Sequence, residues 1–258
     1  MSRRALLGTA LSAGVVASGG VARGYSGEEL ASVMARADRL RTPRHRRPGW
    51  NAGSIGTTRS GTPIERWDSK PDGARRHVTV ICATHGDERA MADLAGGFGR
   101  ISAPADLHLT IVPFLNPDGW AAGTRHNADG VDLNRNFPWQ WRRSGTGGSE
   151  PASEPETRAA MWMLGAERPD LVIWVHQPLG YVAPLEGCPP RYAQIWSDVA
   201  AVPVRLNLRQ VGGGETWTAI ELGLRSMLVE VGGTRDEAIG VDRHIDALEA
   251  LTFAVEAV

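Results

Sequence analysis

Apolar residues along this chain follow two rhythms. Short runs rich in β-branched residues alternate with stretches in which apolar positions return every three or four residues. Residues 54–58 and 61–64 read as a strand, a turn and a strand entry around Gly61. The run 77–83, built on Val78, Thr79, Val80 and Ile81, predicts a buried strand, and 90–98 predicts the helix after it. Strands are expected again over 107–113, 171–175 and 224–231. Helices are expected over 156–166, started by Pro155, and over 243–257. Strands alternating with helices predict an α/β fold, a single-domain three-layer α/β/α arrangement around a mixed, mostly parallel twisted sheet. A chain of 258 residues suits one such domain.

The first fifty residues do not fit that alternation. After Arg3 and Arg4 no charge occurs until Arg23, and the stretch between is apolar and small-residue-rich. Residues 1–22 therefore read as a twin-arginine-type signal peptide with a small-residue exit near Ala22, which places the rest of the chain outside the cytoplasm. The alternative, a retained membrane anchor, suffers from its glycines, serines and threonine. Residues 23–50 read as an N-terminal helix and basic linker. Ser26 to Glu29 forms a capping box, Leu30, Val33, Met34, Ala37 and Leu40 follow at helical spacing, and an arginine-rich run with His45 comes next. Residues 51–258 carry the strand–helix alternation and read as the main domain.

Composition narrows the function by exclusion. With 28 basic and 29 acidic residues the net charge is −1, so nothing points to nucleic acid. Two cysteines, Cys82 and Cys188, allow one disulfide in an exported protein, or two unlinked thiols.

Candidate chemistry collects at strand ends. His85 and Glu88 follow the strand at 77–83, with Gly86 permitting a tight turn between them. Imidazole and carboxylate suit zinc, which takes three protein ligands and one open position in a catalytic site. His176, ending the apolar strand 171–175, is the third candidate, against the alternative of a hydrogen-bonded core histidine. His45, His77, His108, His126 and His244 read as ordinary surface residues. Asn134 and Arg135 pair a carboxamide with a cationic fork that matches a carboxylate. Asp132 could orient a histidine ligand through its second ring N–H. Arg125 could face a reacting carbonyl oxygen. Each arginine has the alternative of a surface ion pair. Glu230 ends an apolar strand, where an unpaired charge is costly, and near a metal it would be the general base.

This set resembles the M14 zinc carboxypeptidases, and within them the bacterial murein peptide amidases. The resemblance runs through Thr84 to Glu88, Asn116 to Gly119, Arg125 with Asn127, Gly130 to Pro138, Ser153 to Thr157, His176 and Glu230. It implies one Zn2+ per chain held by His85, Glu88 and His176. It implies that Arg125 stabilises the developing oxyanion, and that Asn134 and Arg135 clamp the substrate's terminal carboxylate. Glu230 would take a proton from the attacking water and pass it to the leaving amine, with Asp132 supporting His85. The family's mobile-loop tyrosine falls near Leu208 here, and no tyrosine follows Tyr192. Glu215 falls at the position that selects the substrate side chain, and an acid there favours a positively charged one; the alternative is a solvated loop carboxylate. The expected activity is hydrolysis of the γ-D-glutamyl–meso-diaminopimelate bond of a peptidoglycan-derived peptide. The expected protein is a monomer without stable membrane insertion once its signal is removed. Alternatives are a general metallocarboxypeptidase, an N-acyl-amino-acid deacylase, or a non-catalytic binder of cell-wall peptides.

Overall fold

The computed structural model describes residues 50–234 and 237–258. The signal, the capping-box helix and the basic run read from the sequence therefore lie outside the described residues, apart from Trp50. No described helix is long and apolar enough to cross a membrane.

Seven strands form one sheet: β1 (Trp50–Thr57), β2 (Pro63–Ser69), β3 (Arg76–Ile81), β4 (Leu107–Val112), β5 (Leu171–His176), β6 (Tyr181–Pro184) and β7 (Ser226–Glu230). Their spatial order is β1-β2-β4-β3-β5-β7-β6. The four central strands β4, β3, β5 and β7 run parallel, while β1 and β2 on one side and β6 on the other pair antiparallel. The central strands carry apolar residues on both faces because helices cover both.

Alternation along each strand sorts these residues into two cores. Val78, Val80, Ile173, Val175, Met227 and Val229 pack under helices α1 (Met91–Phe98), α4 (Pro190–Ala200) and α6 (Val241–Ala254). Ile81, Val172, Trp174 and Leu228 face the other way, toward α3 (Pro155–Glu167) and α5 (Gly214–Ile220). A short helix α2 (Pro117–Ala122) sits after β4, with Asn116 capping it by accepting from Gly119 N at 2.9 Å. Leu107, Leu109 and Ile111 are fully buried, each worth roughly 1.5–3 kcal/mol of burial. The expected helices over 90–98, 156–166 and 243–257 appear at Met91–Phe98, Pro155–Glu167 and Val241–Ala254.

Of the histidines expected at the surface, His244 is buried and His77 and His108 are half-buried. His77 and His108 sit side by side in the β3–β4 register, their rings stacked at 3.9 Å, with Asp68 2.9 Å from His108 Nε2. His244 is buried because α6 packs on α4, where Trp196 Nε1 donates to its Nδ1 at 3.0 Å. Burial holds the His244 pKa down at about 4, below its ordinary 6.5. The native state thus refuses a proton that the unfolded chain accepts. This contribution to stability is complete above pH 6.5 and is lost as pH falls through 4, a span worth roughly 3 kcal/mol. Urea unfolding at pH 7 and pH 4.5 should show a smaller acid loss in His244→Gln, which keeps an acceptor for Trp196, than in the wild type. Equal losses would remove His244 as a cause. The two cysteines are free, buried thiols in the same apolar core. Burial pushes Cys188 up to about 12 and Cys82 higher still.

Candidate metal centre

β3 ends at Ile81, and the chain then runs through Cys82 to Thr84 into a tight turn. Gly86 is required there: a Cβ at this position would lie 2.0 Å from the Gly119 carbonyl carbon of α2. The turn presents His85 and Glu88 inward, both buried. His176 is the last residue of β5 and stands in register with Glu230, the last residue of β7. By strand parity both point to the α3/α5 face, alongside Trp174 and Leu228. The hydrophobic alternation that builds the sheet thus also delivers an imidazole and a carboxylate to one spot.

Three donor atoms converge. His85 Nδ1 is 2.7 Å from Glu88 Oε1, His176 Nδ1 is 3.2 Å from the same oxygen, and the two Nδ1 atoms are 3.3 Å apart. Donors of a tetrahedral zinc at roughly 2.0–2.1 Å stand about 3.3 Å from one another. Two of the three spacings match that figure. His85 Nε2 lies 3.1 Å from Asp132 Oδ1, which fixes the proton on Nε2 and frees the Nδ1 lone pair. Glu88 Oε2 and His176 Nε2 are buried without hydrogen-bond partners among the described residues. The donor set fits zinc on chemistry and on spacing.

The electrostatics follow from this crowding. Burial opposes charge on Glu88, but His85 and His176 outweigh it and hold its pKa down to about 2. Burial likewise opposes charge on His176, and Glu88 overcomes it, lifting the pKa to about 9. Burial pushes Glu230 above its ordinary value, with His176 pulling back and Glu88 adding to the rise. Leu179 N donates to Glu230 Oε2 at 3.3 Å.

Asp132 does more than was expected of it. Besides His85, it accepts from Arg125 Nε at 3.0 Å and Nη2 at 2.9 Å, and from Asn134 N at 3.0 Å. One buried carboxylate therefore ties a metal-ligand candidate to two groups expected to meet substrate. The loop around it is pinned from below: Asn127 Nδ2 donates to Glu154 Oε2 at 2.7 Å, and Asn136 Nδ2 donates to Ser153 Oγ at 3.0 Å. The Ser153 to Thr157 stretch thus supports the site without lining it.

A cavity of about 250 Å³ opens over these groups. His85, Glu88, His176, Arg125, Asn134, Arg135, Glu215 and Glu230 all line it, whereas Asp132 sits behind His85. Asn134 Oδ1 accepts from Gly214 N at 2.9 Å, which leaves its amide nitrogen free to donate. Glu215 is a buried residue on the first turn of α5, not a solvated loop carboxylate. Its burial raises its pKa, and its Oε2 has no hydrogen-bond partner among the described residues. Leu208, the position aligned with the missing tyrosine, does line the cavity. Tyr181 and Arg209 line it too and were not singled out from the sequence. Tyr181 enters through the β6–β7 register opposite Glu230, a pairing no local pattern announces.

Comparison with known proteins agrees with this geometry. Residues 102–182 match the zinc carboxypeptidase family. The chain is 31% identical over 159 residues to murein peptide amidase A of Escherichia coli (strain K12), a match covering 54% of this chain and 65% of that protein. It is 32% identical over 147 residues to murein peptide amidase A of Vibrio campbellii, covering 50% of this chain and 58% of that one. The chain thus spans less than two thirds of the length of the curated relatives it matches. Among solved structures, murein-tripeptide amidase MpaA from Escherichia coli O157 superposes with a TM-score of 0.63 at 27% identity, over 81% of this chain and 91% of that one. Thrombin-activatable fibrinolysis inhibitor superposes with a TM-score of 0.66 at 15% identity, over 88% of this chain and 73% of that one, which is a likeness of fold.

Proposed function

We propose that this chain is a zinc carboxypeptidase-type enzyme, an exported, zinc-dependent hydrolase cutting an amide bond next to a free carboxylate in peptidoglycan peptides; the family match over residues 102–182 supports the class. The bond is the one between γ-D-glutamate and meso-diaminopimelate. The observation that carries this reading is the convergence of His85, Glu88 and His176 one strand away from Glu230. The names of the amidase relatives support the substrate class, and the twin-arginine-type stretch at 1–22 supports export.

His85, Glu88 and His176 would hold the zinc, which would supply Lewis-acid polarisation of the carbonyl and lower the pKa of water. The chain does the rest. Arg135 binds the terminal carboxylate with its fork, and Asn134 adds an amide donor whose orientation Gly214 N fixes. Glu230 takes the proton of the attacking water and returns it to the departing amine. Burial raises the pKa of this carboxylate above its ordinary value, which makes it a stronger base toward the water. Arg125 is bound to Asp132 through Nε and Nη2, which leaves its Nη1 edge for the charge developing on the carbonyl oxygen. Glu215 takes the ammonium group of the diaminopimelate side chain: a buried carboxylate with a vacant acceptor favours a cation.

The test is direct. Zinc-loaded protein incubated with L-alanyl-γ-D-glutamyl-meso-diaminopimelate should release free diaminopimelate, detected by mass spectrometry, and a chelator should stop the release. Cleavage of ordinary C-terminal dipeptides with the tripeptide left intact would instead identify a general metallocarboxypeptidase. Release of an acyl group from N-acyl amino acids would identify a deacylase. Peptide binding without turnover would identify a cell-wall peptide binder.

A further inference from the structure

The cavity holds a second charged feature that the reaction does not use. Arg209 lines it from the loop leading into α5, six residues before Glu215. Arg125 is committed to Asp132, and Arg135 to the terminal carboxylate of the proposed substrate. Arg209 has a looser engagement: its Nη2 is 2.7 Å from Glu186 Oε2, and the two side chains are 58% and 60% exposed. An exposed pair of this kind contributes little to stability and exchanges partners readily.

Arg209 and Glu215 ride on one braced segment. Gln210 N donates to Thr216 Oγ1 at 2.8 Å, and Gly213 N to Gln210 O at 3.0 Å. Gly212 N donates to Trp139 O at 3.0 Å, and Phe137 N to Gly212 O at 3.0 Å, which joins this segment to the loop carrying Asn134 and Arg135. Gly214 packs so tightly that a Cβ would lie 2.5 Å from the Trp174 ring. The cavity therefore presents a buried anion inside, with an unpartnered oxygen, and a cation at its rim, on one wall. Leu185, Leu208 and Leu228 line the same cavity and offer methylene-compatible surface.

We propose that this wall reads a zwitterionic side-chain terminus, with Glu215 meeting an ammonium group and Arg209 meeting a carboxylate on the same carbon. The inference rests on the amidase reading and deepens it. Diaminopimelate ends in such a carbon, whereas lysine offers the ammonium group alone. Arg209 is then the residue that separates the two, by leaving Glu186 for the ligand's distal carboxylate. A lysine side chain would satisfy Glu215 and leave the Arg209–Glu186 pair undisturbed.

The experiment titrates zinc-loaded wild type, Arg209→Gln and Glu215→Gln calorimetrically with meso-diaminopimelate and with lysine. It then compares hydrolysis of γ-D-glutamyl tripeptides ending in each. Wild type should bind diaminopimelate roughly tenfold or more tightly than lysine, the size of one charge-assisted hydrogen-bonded pair. Arg209→Gln should bring that ratio to within about twofold, mainly by weakening diaminopimelate, and Arg209→Lys should restore part of it. Glu215→Gln should weaken both ligands. Arg209 is exposed, so its variants fold, and the proposal does not depend on the buried Glu215 variant. A wild type that binds neither ligand, or both equally, overturns the proposal, as does an Arg209→Gln variant that keeps the full ratio. Discrimination in binding with no tripeptide cut would sink the amidase reading while sparing this pocket. Equal cleavage of both tripeptides would do the reverse.

Discussion

Glu230→Gln is expected to lower kcat by roughly 10²–10⁴, the usual worth of a positioned general acid–base group, with little change in KM. Glutamine keeps the shape and an oxygen to accept from Leu179 N, so the β7 end should hold. What it loses is the ability to carry a proton. Glu230 neighbours His176 across the β5–β7 register and sits opposite Tyr181 on β6, so the carboxylate is mounted on the most tightly buried part of the sheet. The change should leave zinc content intact, because Glu230 is not one of the three converging donors. Measuring kcat and KM on the tripeptide beside zinc content by emission spectroscopy separates the two roles. Near-wild-type turnover in a fully zinc-loaded variant would exclude Glu230 as the base.

His176→Ala is expected to abolish activity through the metal. Two donors remain where a catalytic zinc needs three, so bound zinc should fall from one per chain toward none. A second consequence appears in chelator-treated protein. Glu88 is fully buried, and burial opposes its charge; His85 and His176 together keep it ionised. Taking one partner from a buried ion pair costs roughly 3–5 kcal/mol, so the metal-free variant should unfold at markedly lower denaturant than metal-free wild type. Added zinc should raise the wild-type melting temperature by mass action and barely move that of the variant. A variant that still binds one zinc and cleaves peptide would take His176 out of the ligand set.

Much of the site could be read before any coordinates. His85, His176 and Glu230 were legible because each polar group interrupts or closes a run of apolar β-branched residues, where an uncompensated charge would be costly. Asn134 and Arg135 were singled out from the chemistry of their side chains, and the structure places both on the cavity wall. Glu215 was singled out only through the family resemblance, with its burial left open, because nothing local distinguishes a buried carboxylate from a solvated one beside three glycines. Its burial depends on α5 packing against Trp174 and on Asn134 reaching across from a loop eighty positions earlier. Tyr181 and Arg209 were missed because only long-range packing brings them to the cavity, and the bracing of Arg125 by Asp132 was missed likewise. His244 was misread because its burial is decided by α4, a helix whose contact with α6 lies entirely at long range.

By itself the sequence determined the alternating α/β order, the strands that end in candidate metal ligands, and the chemical type of each candidate site residue. These follow from short-range rules: strand parity, turn-forming glycine and the cost of placing charge in an apolar run. Only the tertiary structure decided which ends meet, which carboxylates are stripped of water, and which loop cation reaches the cavity. Those outcomes depend on strand register and helix packing between residues far apart in the chain, and no local pattern encodes the distance between two such groups.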